Sequence, residues 1–335
     1  MDQHLTIPHR TSHGMCPVNG IRDLVQWRSD RDWSNEFLHG LGQGGGFAYL
    51  RFNSADPPRQ VYWGIAGPRQ HQYLANLLGA GYTVVENRTF KFSWSKARCA
   101  VEAGTPPVLG PLDMYYLHYY GGIYQKRHIP IHYVVLVGFD DAAAYVHDTG
   151  KHDVQAIPLD DLQSAWDVNV PGLGKRNRLA IFDVPKSFPP TGGLIRTAIA
   201  DQCRAMLDPP VSMVGIPAMN KLAREIARWP DELGTDRADL SLQQVREYLN
   251  SPPDLTGDHL TAGRHIYVAF LQEAADLASL DVARSIRDLR DSMNLVPKLA
   301  EAIRHRRLEQ ASQLIRQIAL HEAQAYQELS EAVAG

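Results

Sequence analysis

At 335 residues, 44% of them hydrophobic and 21% charged, the chain has room for two folded domains and the make-up of a globular protein. Its 34 Lys and Arg against 37 Asp and Glu leave no net field to draw a nucleic acid or an anionic membrane, so neither is expected as a partner. Met1 to Arg10 lacks the apolar core of an export signal. The most hydrophobic stretch, Tyr133 to Gly138, is far short of the roughly 20 residues a membrane helix needs, and three widely spaced cysteines fit a reducing cytoplasm rather than a disulfide framework.

In chain order, the first predicted element is a helix that opens at Cys16, where Pro17 suits a first turn and Val18, Ile21, Leu24 and Val25 share one face. A second short helix is expected over Ser34 to His39. The run Gly40-Leu41-Gly42-Gln43-Gly44-Gly45-Gly46 follows that helix, not a strand, and no Lys-Ser or Lys-Thr comes after it, so it is neither a dinucleotide fingerprint nor a phosphate loop. Its glycines are expected to let backbone approach backbone or substrate. Strands are expected at Tyr82 to Glu86, Tyr133 to Gly138 and Leu179 to Val184, in a mixed α/β pattern. Cys99 and Cys203 fall in amphipathic helices and are expected to be inert core thiols. His13 and Cys16 lack a second ligand pair at metal spacing, so no zinc site is expected.

The turn-rich stretch from Phe188 to Gly193 marks a domain boundary, dividing residues 1–188 from 189–335. Beyond it apolar residues recur at three and four, from Ile195, Ile199 and Met206 to Leu314, Ile318, Tyr326 and Leu329, and the second part reads as nearly all helix. Ser241 followed by Gln244 is taken as a capping box, and Pro230, Pro252, Pro253 and Pro297 as helix starts or breaks.

Three residues carry chemistry. At a helix N-terminus Cys16 is placed where the dipole favours a thiolate and backbone N–H groups can hold an oxyanion; the plain alternative is a small side chain packed under Trp27. The segment from His132 to Asp148 reads as a β-hairpin turning at Asp140 and Asp141, which brings His132 beside Asp148 to within a residue of register. A thiol, an imidazole and an orienting carboxylate are the parts of covalent acyl transfer; the alternative for His132 is a strand-end histidine on a partly exposed edge. His118 and His128, in the loop from Leu117 to Pro130, are rival bases or residues of a substrate entrance.

Cys16 with Ile21-Arg22-Asp23-Leu24, Gly40-Leu41-Gly42 with the glycines after it, Asp113-Met114-Tyr115-Tyr116-Leu117, His132 through Asp140, Asp148, and Gly263-Arg264 with Tyr267 and Phe270 together resemble the butirosin-biosynthesis H-type acyltransferase family. The resemblance spans nearly the whole chain. It implies an α+β, papain-like cysteine-enzyme domain over 1–188 and an all-α domain over 189–335 that serves as lid or substrate-binding part. It further implies transfer of an acyl group from a carrier-protein thioester to a small-molecule amine through an acyl-cysteine, in specialised-metabolite assembly. No cofactor is implied beyond the phosphopantetheine of the donor. Cys16, His132 and Asp148 take the catalytic positions. His128, Tyr115, Tyr116, Gly44, Gly45, Arg264 and Tyr267 are expected to bind substrate, Arg264 through the donor's phosphate unless it serves as a structural bridge between the two domains through a carboxylate. Met15 stands where the family often has histidine, and Asn35 where an acidic residue is frequent. A cysteine peptidase or amide hydrolase with the same triad, and a carrier-binding module without chemistry, are the competing functions. Nothing in the sequence sets the oligomeric state.

Overall fold

The computed structural model of the protein describes residues 3–12, 15–29, 31–52, 54–64, 67–250 and 260–334. His13, Pro252 and Pro253 lie outside them. In chain order the first elements are β1 (Gln3–His4), α1 (Cys16–Ser29), α2 (Asn35–Leu41), β2 (Phe47–Arg51), β3 (Arg59–Trp63), α3 (Pro68–Leu78), β4 (Gly81–Val85), α4 (Phe90–Glu102) and β5 (Val108–Leu112). There follow β6 (His132–Phe139), β7 (Ala143–Asp148), β8 (Gln155–Pro158), α5 (Leu159–Trp166) and β9 (Leu179–Asp183). The rest is helical: α6 (Thr191–Leu207), α7 (Gly215–Glu225), α8 (Trp229–Leu233), α9 (Thr235–Leu249), α10 (Arg264–Ala278), α11 (Ala283–Arg304) and α12 (Leu308–Ala334). Among the described residues no helix is long and apolar enough to cross a membrane.

The chain forms two compact units, one of residues 1–38 and 66–188, the other of 39–65 and 189–335. The first is a mixed α/β unit built on a seven-stranded antiparallel sheet ordered β4-β9-β5-β6-β7-β8, with β1 added to the end of β6. Its central strand β6 is buried at every residue, as a strand covered on both faces must be. One face carries α4 and α5, where Trp94, Ala97, Leu162 and Trp166 pack with Leu109, Val134 and Leu136. The other carries α1, whose buried residues run without a break from Val18 to Val25. That surpasses the four-residue apolar face expected, because Asn19, Arg22 and Asp23 are also enclosed and find polar partners inside the unit.

The second unit is helical apart from the β2–β3 hairpin, which the sequence reading had grouped with residues 1–188. Its packing explains two further departures. Ser241 and Gln244 do not cap a helix; they sit within α9 and replace a neighbouring strand for β3, Gln244 accepting from Val61 N–H and donating to the Val61 carbonyl, both at 2.8 Å, while Ser241 Oγ accepts from Arg59 N–H at 3.3 Å. Pro297 lies inside α11 rather than at its start, and Pro230 opens α8 as expected.

Candidate active site

Helix α1 begins at Cys16 because Met15 supplies its first acceptor: the N–H groups of Val18 and Asn19 both donate to the Met15 carbonyl, at 3.1 and 3.0 Å. Pro17 has no N–H to satisfy. Two contacts hold this first turn in place. His71, buried on α3, lies with Nε2 2.6 Å from the Pro17 carbonyl, and Asn35 donates to Asn19 Oδ1 at 2.8 Å. Burial, aided by Arg178, pushes the His71 pKa down to about 3, so a neutral ring donates there. Asn35 thus braces the residue one turn beyond Cys16.

On β6 and β7, Val134 rather than His132 pairs with Asp148, two residues from the expected register and more than the one residue allowed for it, and a bulge follows between Leu136 and Gly138. His132 and Val134 lie on one side of the strand by the two-residue period, so the diagonal offset still lets His132 reach Asp148. The turn is as expected, with Asp140 Oδ1 accepting from the N–H groups of Ala142 and Ala143, both at 2.7 Å. His132 Nε2 lies 2.7 Å from Asp148 Oδ2. Nδ1 is therefore the nitrogen left for Cys16, which lies near enough to act on the ring electrostatically. Cys16 is partly exposed, and its Sγ lies 3.9 Å from the Ile131 carbonyl. Burial works against a charge on His132, but Asp148 and Cys16 outweigh it and raise its pKa to about 10; Asp148, despite its own burial, is held down to about 2 by His132, Tyr120 and the Gly150 N–H.

Two residues that sequence reasoning missed complete this group. Tyr119 donates to Asp148 Oδ2 at 2.8 Å and Tyr120 to Oδ1 at 2.6 Å, and the Tyr120 ring stands edge-on to His132 with centroids 5.5 Å apart. Burial and the Asp148 charge push both phenols above their usual range, so both remain donors. They lie two and three positions beyond the loop residues singled out, Tyr115 to Leu117. In a loop no periodicity shows which aromatic turns inward; the only sequence signal was the density of Tyr between 115 and 124.

His128 is not part of this group. Its Nδ1 lies 2.6 Å from Asp113 Oδ2, its ring stacks on Tyr115 at 4.1 Å, and Tyr116 sits edge-on at 6.3 Å. Asp113 Oδ1 meanwhile accepts from the N–H groups of Tyr115 and Ile129. With its side chain 63% exposed, His128 remains free to meet a ligand.

The other expected substrate residues belong to the second unit. A Cβ on Gly44 would come within 2.1 Å of the His39 ring, and one on Gly45 within 2.7 Å of Tyr326 Oη and 3.1 Å of Tyr267, so Gly44 serves close packing on α2 and Gly45 on α10 and α12. Arg264, 1% exposed, donates to both oxygens of Glu322 at 2.8 Å and to the Gly46 carbonyl at 3.2 Å. Its donors are thus taken inside the protein, and phosphate docking there gives way to the structural role; the carboxylate it bridges lies in its own unit. Tyr267 is buried beside it. Cys203 is buried and its thiol pushed up to about 12, whereas Cys99 is exposed on α4 and not the core thiol expected.

A half-exposed thiol at the start of a helix laid on an antiparallel sheet, facing an imidazole that a buried carboxylate orients, is the arrangement of papain-like cysteine enzymes. The chain belongs to the DUF4872 family, whose domain of unknown function matches residues 160–329, half of the chain, and residues 15–149 match the model described as butirosin biosynthesis protein H, N-terminal. No curated protein matches it. Among solved structures, a protein from Bacillus anthracis described as a C39-like peptidase aligns with 14% identity and a TM-score of 0.37, over 54% of this chain and 97% of its own.

Proposed function

We propose that the protein is a cysteine-dependent acyltransferase that moves an acyl group from a carrier-protein thioester to a small-molecule amine in antibiotic or related natural-product biosynthesis. The observation that carries this reading is the convergence of Cys16, His132 and Asp148, with His132 bonded to Asp148 and Cys16 close enough to act on its charge. The description of the domain model matched over residues 15–149, butirosin biosynthesis protein H, supports the biosynthetic setting.

In the first half-reaction the Cys16 thiolate attacks the thioester carbonyl. A bond forms between Sγ and the acyl carbon, the donor's carbon–sulfur bond breaks, and His132 gives its proton to the departing thiol. In the second, the amine attacks the acyl-Cys16 carbonyl and loses a proton to His132, and the acyl–Sγ bond breaks. Asp148 orients the ring throughout. Since Pro17 has no N–H and those of Val18 and Asn19 turn onto Met15, the Cys16 amide is the first-turn donor suited to the oxyanion. The chemistry needs no cofactor of the protein's own, because phosphopantetheine arrives with the donor. The partners are then the acyl carrier and the amine, both of which reside in the cytoplasm.

Intact-mass analysis after incubation with a reactive thioester tests the reading. One acyl adduct on Cys16, discharged faster by amines than by water, supports it. An adduct on Cys99 or Cys203 alone removes Cys16 as the nucleophile, while discharge to water regardless of added amine makes the protein a hydrolase.

A further inference from the structure

Seven residues before Cys16, His9 occupies a position for which the proposed chemistry gives no reason. Its side chain is only 6% exposed and its ring is bonded at both nitrogens: Nδ1 lies 2.6 Å from Asp23 Oδ2, and Nε2 lies 2.8 Å from the Lys151 carbonyl and 3.2 Å from the Asp148 carbonyl. Asp23 belongs to the helix that Cys16 begins, and Asp148 is the carboxylate that orients His132. A single side chain therefore ties the nucleophile's helix to the backbone of the orienting residue.

We propose that His9 is a positioning residue of the acyl-transfer site, holding Asp148 and the Cys16 helix in the relation that keeps Cys16 facing His132; this rests on the reading of Cys16 as nucleophile. Both ring nitrogens face acceptors only, a carboxylate on one side and two carbonyls on the other, so both must donate and the ring carries a charge. Burial opposes that charge, and the bond to Asp23 outweighs it, raising the His9 pKa. The charged and titratable groups around it are Asp23 and Arg22 from α1, His147 from β7 and Lys151 beyond it. Arg22 bonds the other oxygen of Asp23, and His147 stacks on His9 at 4.3 Å with its Nδ1 3.6 Å from Asp23 Oδ2. The segment bearing His9 is fastened on both sides, by Leu5 N–H to the Val137 carbonyl and Ser12 N–H to the Thr149 carbonyl, each at 2.8 Å, so the ring is held rather than resting loosely on the sheet.

His9, Asp23 and His147 also bring three ligand atoms within 4.8 Å of one another, the outline of a metal site. The 2.6 Å separation of His9 Nδ1 and Asp23 Oδ2 is a hydrogen-bond length, well under the about 3.3 Å that tetrahedral ligands leave around zinc, and Arg22 already neutralises the carboxylate. A proton fits that gap better than a metal.

The test is the pH dependence of Cys16 alkylation by iodoacetamide, read by mass, which reports the thiolate and needs no acyl donor. Wild-type Cys16 should react at neutral pH faster than a free thiol. His9→Ala should shift the profile up by about one pH unit, a roughly tenfold slower reaction on the acid side, and His9→Gln, which keeps a donor for the carbonyls, should shift it less. In an Asp148→Asn background His9→Ala should have less than its full effect, because part of its action runs through the Asp148 carboxylate. Should His9→Ala misfold, Asp23→Asn breaks the same bond from the other end and should give the same shift. Unshifted profiles, additive effects, or stoichiometric zinc in the purified protein would overturn the proposal alone. A wild-type Cys16 no faster than a free thiol would instead sink the nucleophile reading, and this proposal with it.

Discussion

Gly20 of α1 and Val135 of β6 meet so closely that a Cβ built on the glycine would lie 2.3 Å from Val135 Cγ2. This contact sets the distance between the helix that opens at Cys16 and the strand that opens at His132. Gly20→Ala must push them apart. Overpacking of this kind costs about 1–3 kcal/mol, and the expected outcome is a lower urea midpoint together with slower acylation of Cys16, since the thiol moves with its helix. Gly193, with nothing within 4 Å of an added Cβ, is the control, and Gly193→Ala should leave both measurements near wild type.

Removing the base and its orienters should give graded losses. His132→Ala is expected to lower the acylation rate by orders of magnitude, and Asp148→Asn by less, because an orienting group is partly replaceable in a thiol enzyme. Tyr120→Phe, which deletes one donor from Asp148, should cost less again, and His128→Ala little, its partner being Asp113. Single-turnover kinetics with a fixed thioester would rank the four. An inactive His128→Ala beside an active His132→Ala would reverse the assignment.

The ion pair of His132 and Asp148 makes stability depend on pH in a calculable direction. His132 has its pKa raised from 6.5 to about 10 in the folded protein, so its contribution is complete below pH 6.5 and is lost as pH rises through about 10. Asp148 is lowered from 3.8 to about 2, so its contribution is complete above pH 3.8 and is lost as pH falls through about 2. Denaturant midpoints should therefore show the wild type's advantage over Asp148→Asn to be greatest between those limits and to shrink between pH 6.5 and about 10. An advantage unchanged across that alkaline range would mean that the histidine is not the partner.

Arg264 and Glu322 form a buried bidentate pair, and Ser292 donates to the same carboxylate at 3.2 Å. Arg264→Ala leaves Glu322 buried and uncompensated, a change that costs about 3–5 kcal/mol. The melting temperature should fall, while any loss of turnover should be the same for a carrier-bound donor and for a short thioester without phosphate. A loss confined to the carrier-bound donor would restore the phosphate-docking role.

Much of the site was legible in sequence because it depends on local rules. A proline after Cys16 and an apolar three-and-four pattern place that residue at a helix start, and the seven-residue apolar run Tyr133 to Phe139 followed by Asp-Asp and a second alternating run makes a hairpin, whatever surrounds them. Those signals were enough to nominate Cys16, His132 and Asp148 and to separate the helical second half. What local pattern could not supply was the partner of each buried polar group. The Ser241 and Gln244 spacing satisfies a capping box as well as it satisfies an edge of β3, and only the packing of α9 against that strand decided between them. Arg264 at a helix start suits an anion equally well from solvent or from Glu322, 58 positions on, and burial decided for the latter. Tyr119, Tyr120 and His9 carry no periodicity at all. Their roles exist only because the folded sheet brings a loop to the carboxylate of Asp148 and an N-terminal segment to its backbone carbonyl, and buried acceptors must take their donors from whatever the fold sets beside them.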